Sequence, residues 1–140
     1  MTDPSTLATS VRVLFGRLRR RLTEIPSGDL TAPQSSALAR LLKDGPSTAS
    51  GLAGAERMRP QSMAAIVAEL DRRGLIDRSP DPDDGRRQVI TLTATGREHA
   101  EGARASRGEW LSTAFAERYT EAERRTLAEA LELLDRLVDP

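Results

Sequence analysis

Apolar residues recur at three- and four-residue steps along most of this 140-residue chain, interrupted between residues 75 and 92 by two short runs suited to strands. Leu7, Val11, Leu14, Leu18 and Leu22 form one stripe from about Ser5 to Glu24, and Phe15 and Ile25 widen it. Pro26-Ser27-Gly28-Asp29 reads as a loop. Thr31 is a good N-cap, Pro33 suits the first turn behind it, and Leu38, Leu41 and Leu42 supply the inner face of a second helix. Asp44-Gly45-Pro46 ends that helix. Ser47 or Thr48 then starts a short helix through Leu52 and Ala53 to about Ala55, and Pro46-Ser47-Thr48 offers a minimal edge strand.

Pro60 opens the next helix, because it has no N–H to leave unsatisfied and its φ is already helical. Met63, Ile66, Val67 and Leu70 make its apolar stripe. Arg72 and Arg73 complement the helix dipole in the last turn, and Gly74 is a left-handed stop. Leu75-Ile76-Asp77-Arg78-Ser79 and Val89-Ile90-Thr91-Leu92 are the two strand candidates. Pro80, Pro82 and Gly85 punctuate the turn between them, and its Asp residues can bond back to local backbone.

After the hairpin, Thr93 can cap a long helix from Ala94 to about Ala116, with Ala100, Ala103, Trp110, Ala114 and Phe115 on its packed side. Gly96, Gly102 and Gly108 each weaken it by about 1 kcal/mol relative to Ala, so packing must hold it, and close approach of another helix is one reason for such glycines. Thr120-Glu121-Ala122-Glu123 is a capping box for the last helix. Leu127, Leu131, Leu134 and Val138 line one side of that helix, broadened by Ala130 and Leu137.

The polar face of the 60–72 helix carries Arg59, Gln61, Ser62, Ala65 and Glu69. Its N-terminal turn is small and polar, the character a helix needs to enter the major groove of DNA. An ordinary solvated face is the alternative. Arg86 and Arg87 sit at or just after the hairpin tip, where an Arg can enter a narrow minor groove. Asp84 is close enough in sequence to fix the Arg86 guanidinium, although a solvated turn pairing its own Asp and Arg residues is again the alternative. Arg57 lies where a DNA backbone would pass, and either phosphate contact or solvation fits it. Ser47 and Thr48 can donate to a phosphate, with helix capping as the expected job. The Arg12, Arg17, Arg19, Arg20 and Arg21 face of the first helix reads as solvated, with contact to DNA phosphates as the alternative.

In order, helix, Gly74-Leu75-Ile76, strand, Asp81-Pro82-Asp83-Asp84-Gly85-Arg86-Arg87, strand and Leu92-Thr93-Ala94-Thr95-Gly96-Arg97 resemble the MarR family of bacterial transcription regulators. Leu30-Thr31 and Gln34 resemble that family's second-helix opening, and the flanking helices extend the likeness over nearly the whole chain. The resemblance implies a mainly α fold with a small β-hairpin wing: a winged helix-turn-helix with N- and C-terminal dimerisation helices. It implies a homodimer on a pseudo-palindromic double-stranded DNA operator, often released by a small-molecule effector. By position, Arg59, Gln61, Ser62 and Ala65 would face bases or phosphates, and Asp84 and Arg86 would form the wing tip. An effector pocket would lie between dimer helices and head. Phe15 and Trp110 could line it, though simple core packing is the preferred reading of both.

The length fits one domain, with a head at about 31–93 and dimerisation helices at about 5–25 and 94–138. Amphipathic terminal helices exceed what a head of this size needs, so burial against a second subunit is the economical expectation. Net charge is +0, from 21 basic and 21 acidic residues. That mildly opposes DNA binding and keeps open a winged-helix protein-interaction module without DNA binding, although global charge does not set local potential. All basic residues except Lys43 are Arg, which suits bidentate contacts to phosphate and guanine. Zero Cys excludes disulfides, Cys-ligated metals and a thiol sensor. His99 alone cannot make a His-cluster metal site and reads as a surface or interface side chain. No GxSxG, GxxxxGK[ST] or GxGxxG occurs, so no enzyme, metal or cofactor is expected. The opening MTDPSTLATS lacks the basic-then-apolar order of a secretory signal, and no apolar run is long enough to span a membrane. A cytoplasmic location is the resulting expectation, and the family resemblance implies the role of a repressor.

Overall fold

A computed structural model describes residues 2–26 and 28–139. The expected loop at residues 26–29 therefore includes Ser27, which lies outside the described residues. Six helices and three strands follow in the order α1 (Pro4–Thr23), α2 (Ala32–Asp44), β1 (Ser47–Thr48), α3 (Ala49–Ala55), α4 (Pro60–Arg72), β2 (Ile76–Pro80), β3 (Gln88–Leu92), α5 (Ala94–Arg118) and α6 (Glu121–Asp135) among the described residues. This mainly helical fold with a small antiparallel sheet is the class expected. Two compact units divide α5, one ending at Ser106 and the other starting at Arg107.

Helix boundaries follow local chemistry. Thr31 accepts from the Gln34 N–H while the Gln34 side chain accepts from the Thr31 N–H, a full capping box for α2. Thr120 and Glu123 do the same for α6. Thr48 Oγ1 accepts from the Gly51 N–H at 3.1 Å and starts α3. Helix α4 closes at Gly74, with φ +72, through Gly74 N–H to Asp71 carbonyl and Leu75 N–H to Leu70 carbonyl bonds. That closure uses the Leu75 N–H, so β2 begins at Ile76 and not at Leu75 as the sequence suggested.

In the first unit the stripe Met63, Ile66, Val67 and Leu70 is buried and packs with Leu38, Leu41, Leu52, Leu75, Ile76 and Ile90. At about 25 cal/mol per Å² of apolar area removed from water, these side chains supply most of the unit's stabilisation. The sheet runs β1-β3-β2, all antiparallel, with Ser47 opposite Ile90 and Arg78 also opposite Ile90 from the other side. The start of α5 is fastened to this core. Thr93 Oγ1 donates to the Gly74 carbonyl at 2.7 Å and accepts from the Gly96 N–H at 3.0 Å. Gly96 packs on the Leu75 carbonyl, where a Cβ would collide with backbone. Close approach thus explains Gly96, but against a strand entry and not a second helix; Gly102 and Gly108 have open space around the Cβ position.

Helix α1 buries no residue, and Leu7, Val13, Leu14, Phe15 and Leu18 are exposed. Core packing for Phe15 is therefore not realised within the chain: it is 71% exposed. In the second unit α6 likewise buries nothing, with Leu131, Leu133, Leu134, Leu137 and Val138 exposed there and just beyond. Phe115 and Tyr119 meet edge to face at 5.5 Å between ring centroids. No helix among the described residues is long and apolar enough to cross a membrane.

Candidate nucleic-acid interface

The N-terminal turn of α4 is open. Arg59 is its N-cap but makes no side-chain capping bond, and the first turn holds no acidic residue. Gln61, Ser62 and Ala65 are exposed beside it, as are Ala64 and Ala68. The result is a low, small-residue surface edged by one guanidinium, which leaves room for base edges. Glu69, expected on this face, is instead half-buried and held by Arg72 at 2.5 Å and Arg73 at 3.0 Å. Those bonds, that from Arg72 foremost, pull its carboxyl down to about 2. Arg73 also reaches Asp29 at 2.9 Å, tying the approach to α2 to the end of α4.

Arg57, in the turn before α4, has φ +53, an uncommon left-handed value for a residue with a Cβ. Its side chain is exposed. Neither Arg57 nor Arg59 has a carboxylate in ion-pair range among the described residues. Ser47 and Thr48 are half-buried at the start of α3, where Thr48 acts as the cap and Ser47 Oγ donates to the Thr48 carbonyl at 3.3 Å.

The hairpin tip is built by its aspartates. Asp81 Oδ1 accepts from the Asp83 N–H at 2.9 Å, and Asp84 Oδ1 from the Arg86 N–H at 3.1 Å. Asp84 Oδ1 also takes the Arg86 Nε at 3.4 Å, yet the Arg86 side chain stays 93% exposed. Arg87 pairs with Asp81 at 3.3 Å and more distantly with Asp84 at 3.8 Å. So Asp84 orients Arg86 without covering it. Asp81 and Asp84 spend their oxygens on the turn itself.

A cleft of about 310 Å³ joins the wing to the helices, lined by Thr48, Ser50, Val67, Arg78, Arg86, Arg87 and Gln88 among others. The structure thus brings Thr48, Arg86 and Arg87 together. It adds Arg78, whose Nε lies 3.2 Å from Asp71 of α4, and Ser50 and Gln88, which the sequence reading passed over. Strand alternation held the signal for Arg78, two residues after buried Ile76 on the same face. Phe15 and Trp110 belong to different units, Phe15 exposed on α1 and Trp110 half-buried on the later part of α5.

A short helix, a tight turn, a second helix with an open N-terminal face and an arginine-tipped hairpin define a winged helix-turn-helix protein. The family model for the MarR family matches residues 30–87. An uncharacterized HTH-type transcriptional regulator of Mycobacterium bovis is 37% identical over 134 residues, 95% of this chain and 93% of that one. The crystal structure of a transcriptional regulator protein of Pseudomonas aeruginosa shares 38% identity and a TM-score of 0.82 over 96% of this chain and 94% of that one. Wild-type MarR of E. coli, at 22% identity, shares the fold with a TM-score of 0.78 over 96% and 97% of the two chains. The chain belongs to the MarR family of DNA-binding transcription regulators.

Proposed function

We propose that the chain acts as a cytoplasmic homodimeric repressor, without catalytic activity, on a pseudo-palindromic duplex operator, and that a small-molecule effector modulates it. The carrying observation is the pairing of the acid-free first turn of α4 with Arg86, 93% exposed and oriented by Asp84. Gln61, Ser62 and Ala65 would meet base edges, Arg59 and Arg57 phosphates, and Arg86 a minor groove, with Arg87, Ser47 and Thr48 beside the flanking backbone. Exposed apolar residues on α1 and α6 support a second copy of the chain as their cover. Phe15 and Trp110 remain the candidate lining of an effector pocket, and Trp110 is the single tryptophan, so a change in its emission during titration with a candidate effector would support that placement.

Selection of duplexes from a random library by the purified protein tests this reading. The expected result is a two-fold symmetric consensus with half-sites roughly 34–36 Å apart. Affinity for it should fall steeply with salt, because phosphate contacts release counterions. The protein-interaction alternative draws on the +0 net charge and on the carboxylates that pair with Arg87. Recovery of no consensus, with binding indifferent to salt, would favour it.

A further inference from the structure

The turn Glu56-Arg57-Met58-Arg59 places one carboxylate among two arginines. That carboxylate faces inward. The Glu56 side chain is 8% exposed and accepts from Ser36 Oγ at 2.7 Å and Arg40 Nε at 3.1 Å, both on α2. Arg40 also reaches Asp44 at 3.4 Å. Glu56 is therefore neutralised away from solvent, while Arg57 and Arg59 remain exposed. The backbone depends on the same place. Arg57, with its left-handed φ, is braced by its N–H to the Gly54 carbonyl at 3.2 Å, and the next N–H, of Met58, donates to the Ala53 carbonyl at 2.8 Å. A residue in that region persists only where its surroundings over-determine it. The Glu56 side chain adds a tie from this turn to a different helix.

We propose that Glu56 is a positioning residue for DNA recognition. Clamped by Ser36 and Arg40, it holds the α3–α4 turn in its left-handed form and keeps its own charge off the surface that Arg57 and Arg59 offer to phosphates. The inference rests on the DNA-binding reading above. Its consequence is an asymmetry. Removing Arg40 alone leaves an enclosed carboxylate without its counter-ion, which is driven outward to solvent. There it sits beside Arg57 and Arg59 and repels DNA. Removing both charges avoids this, because a neutral Gln at position 56 can stay inside and still accept from Ser36 Oγ, which keeps the turn tied to α2.

Full-length wild type, Arg40→Met and the double variant Arg40→Met/Glu56→Gln are titrated against the duplex recovered by the selection, well below their melting temperatures. Arg40→Met is expected to weaken binding about tenfold at low salt. The double variant is expected to recover to within about threefold of wild type, which a loss of packing alone does not produce. A double variant as weak as Arg40→Met overturns the proposal. Limited trypsin digestion, read by fragment mass, judges the clamp without DNA, and so still decides if the wild type binds no duplex. The Arg59–Pro60 bond resists trypsin, which leaves Arg57–Met58 as the susceptible bond of the turn. Arg40→Met is expected to be cut there about tenfold faster than wild type, because local opening sets the rate. Equal cutting in both proteins overturns the clamp itself.

Discussion

Glu69 lies one turn before the end of α4 and takes both of the arginines that follow it. Its carboxyl is held at about 2, against an ordinary 4.5, first by the bond from Arg72 and then by that from Arg73. A carboxyl depressed by folding contributes stability above its unfolded value and loses it as pH falls through its folded value. Glu69 should therefore help the fold fully above about pH 4.5 and progressively less down to about pH 2. Thermal melts across that window should show a shallower acid loss in Glu69→Gln than in wild type. At the wing, Arg86→Ala should leave the fold intact and cost about 1–2 kcal/mol in operator affinity, more where the contacted groove is A·T-rich. Equal affinity for both proteins in a binding titration would remove Arg86 from the interface. The Asp84–Arg86 pair was legible because its members are two residues apart in one turn. Glu56 and Arg40 are 16 residues apart on different elements, and no local pattern announces such a pair.

At the level of elements, the α4 stripe was readable because burial on one helical face must repeat at helical spacing, and all four expected residues are buried. The caps at Thr31 and Thr120 were readable because a capping box is complete within four residues. The β2 start was misplaced by one residue because Leu75 closes α4, a competition settled by hydrogen bonds and not by propensity. The role of Gly96 was hidden for a similar reason: helix and strand entry meet only in the folded chain. Gly96→Ala should cost at least about 1–3 kcal/mol, because the added methyl meets the Leu75 carbonyl and neither backbone can move freely. Urea denaturation measures this, and a variant as stable as wild type would show that the junction yields.

For the molecule as a whole, the unclaimed apolar surface of α1 and α6 argues for a partner copy. That surface was legible as stripes too wide for a lone chain, whereas the mate of each stripe depends on an assembly that sequence spacing does not describe. Leu131→Glu with Leu134→Glu should convert a dimer to a monomer at micromolar concentration, because two charges would have to be buried unpaired. Sedimentation equilibrium reads the outcome, and an unchanged mass would place the interface elsewhere. The sheet, too, has a bearing on life at high concentration. One of its borders, β1, is two residues long, and the other, β2, bears Asp77, Arg78 and Pro80. Neither presents the unbroken ladder of unpaired amides that seeds cross-β stacking. The hairpin can thus stand in solvent without its outer edge recruiting a strand from a neighbouring copy.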